Sequence, residues 1–107
     1  MNYVFDIDGT LCTDSQGDYK SAEPLTERIA YINKLFDEGN RIILFTARGM
    51  GSSNNDSNFA IQKWEKFTQV QLQQWGVKYH KLFLGKPSGD IYVDDKAIRD
   101  TDFFNFN

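Results

Sequence analysis

With 107 residues, the chain has room for one hydrophobic core and none for a substantial second lobe. Its 40% hydrophobic and 25% charged residues exclude a disordered chain and a membrane-spanning one. A net charge of -3 argues against a nucleic-acid surface, which needs clustered Lys and Arg to neutralise phosphates. Cys12 is the single cysteine and has no intrachain partner. Met1 is followed by a strand-like run instead of a charged-then-apolar leader, so the expected compartment is the cytoplasm and no membrane is expected as a partner. A lone small thiol beside Leu11 reads as packing.

Short apolar runs alternate with longer amphipathic ones, the pattern of parallel strands joined by crossover helices, and this predicts an α/β class. Tyr3-Val4-Phe5 reads as a first strand that ends at the acids Asp6 and Asp8. From Glu23 to Glu38, Leu25, Ile29, Ile32, Leu35 and Phe36 recur at helical spacing, with Pro24 suited to the first turn and Gly39 to the stop. Arg41-Ile42-Ile43-Leu44-Phe45 is a central strand followed directly by Thr46. Gly49 to Asn58, rich in Gly, Ser and Asn, is a loop. A second helix runs from about Phe59 to Trp75, with Ile61, Trp64, Phe67, Leu72 and Trp75 on its apolar face and Gly76 at its end. Lys81 to Leu84 is a third strand and Asp90 to Val93 a fourth; the residues after Asp95 form a turn or helix ending in the ring-rich Phe103, Phe104 and Phe106. A lone His80 before the third strand reads as structural.

The chemistry-bearing residues fall after strands. Asp6-Ile7-Asp8-Gly9-Thr10 sets two carboxylates where the first strand ends, and Gly9 lets the chain turn away from the sheet. Asp94-Asp95 repeats this after the fourth strand. If the first and fourth strands are neighbours, up to four carboxylates converge at the edge where open sheets place ligands. Such crowding calls for a cation, and a hard one with oxygen ligands, Mg²⁺, fits. Thr46 offers a hydroxyl and a backbone N–H to a phosphate oxygen, and Lys86 offers a charge. Arg48 is suited to a substrate carboxylate or second phosphate, or to a solvated loop.

Asp6-Ile7-Asp8-Gly9-Thr10-Leu11, Phe45-Thr46-Ala47-Arg48, Gly85-Lys86-Pro87 and Val93-Asp94-Asp95 resemble, in order, the four motifs of the haloacid dehalogenase superfamily of phosphohydrolases. The resemblance runs from about Tyr3 to Asp95. It implies one domain over residues 1–107 with a three-layer α/β/α, Rossmann-like fold, a small parallel sheet of order 3-2-1-4, and no cap domain, because neither insertion point has room for one. It implies a magnesium-dependent phosphatase in which Asp6 is the nucleophile and Asp8 the acid/base. Thr46 and Lys86 then balance phosphoryl charge, Gly9, Thr10, Ala47 and Arg48 line the substrate site, and Asp6, Asp8, Asp94 and Asp95 hold the metal, Asp8 through its backbone carbonyl.

The stretches Thr46 to Gly51 and Lys86 to Asp90 also resemble small phosphatase-like proteins of bacterial capsule and surface-sugar biosynthesis, which implies a sugar phosphate as the small-molecule substrate. Without a lid, the site needs closing by the Gly49 to Asn58 loop, by a large substrate or by a neighbouring subunit in a homo-oligomer. Phe103, Phe104 and Phe106 are candidates either for that interface or for the edge of their own core. The rival reading is a non-catalytic module that binds phosphate or Mg²⁺, alone or as a subunit of a sugar-modifying assembly. A receiver-like signalling domain is disfavoured because its phosphoacceptor aspartate would lie on a middle strand.

Overall fold

The computed structural model describes residues 1–106. Its elements match the alternation read from the sequence: β1 (Asn2–Phe5), α1 (Thr26–Asp37), β2 (Arg41–Thr46), α2 (Ser57–Gln74), β3 (Lys81–Leu84) and a short α3 (Asp100–Phe103). The strands form a parallel sheet of order β1-β2-β3, with Phe5 level with Leu44 and Thr46 level with Leu84. Two right-handed crossovers stepping in one direction put α1 and α2 on the same face of the sheet. That face carries the core: Phe5, Ile42 and Leu44 from the strands meet Ile29, Ile32 and Leu35 of α1 and Leu72 of α2. Each fully buried aliphatic side chain there contributes about 1.5–3 kcal/mol.

Both helices end in the same way. Gly39 takes a positive φ of 94°, and the N–H groups of Gly39 and Asn40 donate back to Phe36 and Leu35. Gly76, at φ 70°, and Val77 donate to Gln73 and Leu72 in the same pattern. These paired bonds satisfy carbonyls that the helix leaves open, at a backbone conformation only glycine adopts cheaply. His80 is structural: its backbone N–H donates to the Ile42 carbonyl, its Nδ1 accepts from the Ile42 N–H, and its ring stacks on Phe36 at 4.5 Å.

Four expectations are corrected. α1 begins at Thr26, not Glu23, because the preceding residues pair with the loop after β1: Thr13 N–H donates to Glu23 O and Leu25 N–H to Leu11 O. Pro24 therefore lies in a bridge with Cys12 and not in a helical turn. α2 begins at Ser57, inside the expected loop, because Asp56 caps it by accepting from the N–H groups of Asn58 and Phe59. Its buried residues are Ala60, Thr68, Gln71 and Leu72, and Ile61 faces solvent.

The fourth correction concerns the sheet. Residues 90–93 form no strand; Ile91 and Val93 are 82% and 93% exposed, and β1 is left as an edge. With no fourth strand among the described residues, the second face of the sheet stays exposed at Val4 and Phe83, and α1 and α2 pack on the one core face. Among the described residues no helix is long and apolar enough to cross a membrane.

The C-terminal rings close the core. Phe104 is buried, stacks on Phe5 at 6.0 Å, meets Tyr31 edge-on at 6.2 Å, and carries the Arg28 guanidinium over its ring. Phe103 packs on Tyr3, Phe5 and Tyr31, while Phe106 remains half exposed. Phe104→Ala is expected to cost about 3 kcal/mol of unfolding free energy in urea. A loss below about 0.5 kcal/mol, the size expected of a surface change, would show that the rings do not seal the core.

Candidate functional site

Because the strands are parallel and nearly level, Asp6 after β1, Thr46 at the end of β2 and Lys86 after β3 leave the sheet at one edge. The Lys86 N–H donates to the Thr46 carbonyl at 3.2 Å, and Gly85, at φ 98°, lets the chain turn there. The Lys86 ammonium then reaches Asp6, with Nζ 3.6 Å from Oδ1. On the other side of the carboxylate, Thr10 Oγ1 donates to Asp6 Oδ2 at 3.4 Å. Gly9 makes this return possible: at φ 83° its N–H donates to Cys12 O while Thr10 and Leu11 donate to Ile7 O. Burial raises the Asp6 pKa above the ordinary carboxylate value, and the Lys86 charge opposes the rise.

Asp8 has a different partner. Arg48 donates from Nε to Asp8 Oδ2 at 2.9 Å and from Nη2 to Asp8 Oδ1 at 3.0 Å, a two-point fork on one carboxylate. The guanidinium is buried, donates to Thr68 Oγ1 at 3.3 Å and lies 4.9 Å from the centre of the Tyr19 ring. Arg48 therefore faces inward, and the reading that gave it to a substrate anion or to solvent is corrected. A buried guanidinium is tolerable only with its charge matched and its donors used, and Asp8, Thr68 and Tyr19 do both.

Thr46 is fully buried, and its Oγ1 accepts from the Arg48 N–H at 3.1 Å. Ala47, next along, is partly exposed. Cys12 lies beneath the pair, its Sγ 3.5 Å from Asp8 Oδ1; burial, with the Asp8 charge adding to it, pushes the thiol up to about 12. This is a packing residue, as its small size suggested.

Asp94 and Asp95 are exposed and do not join this cluster. Asp94 Oδ1 accepts from the Lys96 N–H at 2.8 Å, which lowers its pKa. Among the described residues no group of three or more acids, histidines or cysteines is arranged to hold a metal ion. The expected convergence of four carboxylates is thus not formed among the described residues. Asp6 and Asp8 find their positive charge in Lys86 and Arg48 instead.

No family model matches this chain, and no curated protein matches it. The chain shares its fold with a Vibrio cholerae protein. That protein is known from a crystal structure described as an MCSG target, and the description gives no activity. The two are 26% identical, with a TM-score of 0.89 over 99% of this chain and 89% of that one. The α/β arrangement is therefore one that another sequence adopts almost end to end.

The sequence reading missed Tyr19, Thr68 and Gln71. Gln71 Nε2 donates to the Tyr19 carbonyl at 2.8 Å, and the Tyr19 hydroxyl accepts from the Gly49 N–H at 2.9 Å. Polar residues in mid-helix and a tyrosine in a loop carry no periodic signal.

Two consequences can be measured. Arg48→Met should lower stability by about 3 kcal/mol in urea, because it strands the Asp8 carboxylate. Adding Asp8→Asn should return much of that loss, whereas simply additive losses would mean that the pair is not coupled. The raised Asp6 pKa sets a pH dependence in EDTA. Neutral Asp6 favours the fold, fully so below 3.8, and this contribution is lost as pH rises through the raised value. Asp6→Asn, which never ionises, should therefore melt above wild type at pH 7, with the gap closing toward pH 3. A lower melting temperature at pH 7 would show that the attraction to Lys86 outweighs desolvation.

Proposed function

We propose that this chain is a capless haloacid-dehalogenase-type phosphatase that hydrolyses the phosphomonoester of a small metabolite, a sugar phosphate of polysaccharide biosynthesis, in the cytoplasm. The observation that carries the reading is the Asp6 carboxylate at the carboxyl edge of a parallel sheet with the Lys86 ammonium 3.6 Å away. A nucleophile and a cation for phosphoryl oxygens stand side by side there, on strand ends that resemble the family's motifs.

In this reading an Asp6 oxygen forms a bond to phosphorus as the bond from phosphorus to the leaving oxygen breaks, and Asp8 gives that oxygen a proton. Water then attacks the aspartyl-phosphate, Asp8 takes a proton from the water, and the bond from Asp6 to phosphorus breaks. The products are the alcohol and inorganic phosphate. Lys86 balances charge on the phosphoryl oxygens throughout. Both Asp8 oxygens are engaged by Arg48, so one must leave the guanidinium before Asp8 can face a leaving group.

Mg²⁺ belongs to this proposal through the chemistry of Asp6, Asp8, Asp94 and Asp95, and so does the sheet order 3-2-1-4. Both require residues 90–95 to pair along the free edge of β1, which would cover exposed Ile91 and Val93 and bring the second acidic pair toward the first. The second reading, a phosphate-binding module without turnover, is favoured by one observation: the Arg48 fork occupies the carboxylate that an acid/base would use.

The deciding experiment is phosphate release from a panel of sugar phosphates, nucleotides and an aryl phosphate, with Mg²⁺ and with EDTA. Release should require Mg²⁺ and fall by roughly a thousandfold or more in Asp6→Asn. Phosphate binding without release from any compound would favour the binding module.

A further inference from the structure

Beside the strand ends lies a hollow of about 510 Å³ whose walls come from four parts of the chain. Gln16 and Tyr19 come from the loop after β1, Ala47 follows Thr46, Lys63 and Trp64 come from α2, and Ser88 lies two residues beyond Lys86. Two of the four walls therefore continue directly from residues of the proposed phosphoryl site, and the volume is that of a small-molecule site. Another hollow, of about 400 Å³ and walled by Lys66, Val70 and Tyr79 among others, takes nothing from the strand ends.

The aromatic wall is fixed in place. The Tyr19 and Trp64 rings meet edge to face at 4.6 Å, and the Tyr19 hydroxyl accepts from the Gly49 N–H. Gly49 is at φ 79°, and a Cβ there would lie 2.6 Å from Trp64 Cδ1, so the loop after β2 can press against the indole only as glycine. The half-buried Trp64 indole, which also meets Phe67 edge-on at 5.5 Å, supplies the apolar part of the lining.

The polar part of the wall is positive. Lys63 Nζ lies 5.5 Å from the centre of the Phe59 ring and 5.6 Å from that of Trp64. Among the described residues no carboxylate lies within ion-pair distance of it, and the lining holds no acid. Gln16 and Ser88 add neutral hydrogen-bonding groups suited to hydroxyls.

From these observations we infer that the hollow binds the leaving group of the substrate, and that this group is a hydroxylated ring carrying an anionic substituent. Its apolar face lies on Trp64 and its anion on Lys63. The inference rests on the phosphatase reading for the words "leaving group", but the hollow's preference for an anionic ring is separable from it.

The test uses Trp75→Phe, which leaves Trp64 as the sole indole, and monitors its fluorescence with D-glucuronate, which has a ring and an anion but no phosphate. Glucuronate should perturb Trp64, and Lys63→Gln should weaken the response about tenfold, the loss of one charge-assisted hydrogen bond. Turnover provides the second arm. Glucuronic acid 1-phosphate and glucose 1,6-bisphosphate should each exceed glycerol 3-phosphate in kcat/KM by about tenfold or more, and Lys63→Gln should narrow that ratio. Whichever of the two leads identifies the anion as carboxylate or phosphate.

A glucuronate response lost in Lys63→Gln, with no phosphate release from any compound, keeps the binding site and overturns the phosphatase. Phosphate release with equal kcat/KM for all three esters, untouched by Lys63→Gln, overturns the inference and keeps the phosphatase. No glucuronate response together with no release overturns both.

Discussion

The buried pair of Arg48 and Asp8 ties together the parts of the molecule that the sheet alone does not join. Asp8 lies after β1, Arg48 after β2, and Thr68, which receives another guanidinium donor, is in mid-α2. Tyr19, over whose ring the guanidinium sits, belongs to the loop that returns to α1. Removing a guanidinium from water costs several kcal/mol even after relaxation, and a single weak partner would not offset that. The two-point fork, the hydroxyl and the ring face offset it together, so each of these elements is held at the position the cation requires.

This pair also explains the composition of the neighbouring helix. Thr68 and Gln71 occupy positions on α2 that would ordinarily be apolar, and each hydrogen-bonds a group of the layer beneath: Thr68 accepts from Arg48, and Gln71 donates to the Tyr19 carbonyl. The tyrosine hydroxyl in turn meets the Gly49 N–H. The loop after β1 is therefore fixed at its backbone, its ring and its hydroxyl, and it builds one firm wall beside the strand ends.

The parts of this fold that the sequence made legible are those governed by local periodicity and stop signals. The alternation of runs placed three strands and two long helices, and Gly39 and Gly76 marked both helix ends because their positive φ angles are a local requirement. Asp6, Thr46 and Lys86 were legible as a group because each ends or succeeds a strand, and parallel strands end together. The features that were not legible are long-range. That Arg48 would be buried depends on Asp8, forty positions away, and on Thr68, twenty away. The start of α1 was displaced by pairing between residues 11–13 and 23–25, which no helical pattern records.

The segment after Lys86 shows how charge and apolar burial oppose one another at this edge. Ile91, Tyr92 and Val93 read as a strand because they are apolar and ring-bearing, and the edge of β1 offers unpaired backbone groups to receive one. Pairing would remove exposed apolar surface from water, worth about 25 cal/mol for each Å² covered. It would also carry Asp94 and Asp95 toward Asp6 and Asp8, and like charges brought out of water repel more strongly as the local dielectric falls. Among the described residues, Lys86 and Arg48 are already paired with the first acidic pair. In the open arrangement Asp94 instead takes the Lys96 N–H while the Lys86 ammonium, 3.6 Å from Asp6, also lies over the Tyr92 ring at 4.4 Å. Lys86 thus contacts both the Asp6 carboxylate and the Tyr92 ring of the segment that carries the second acidic pair.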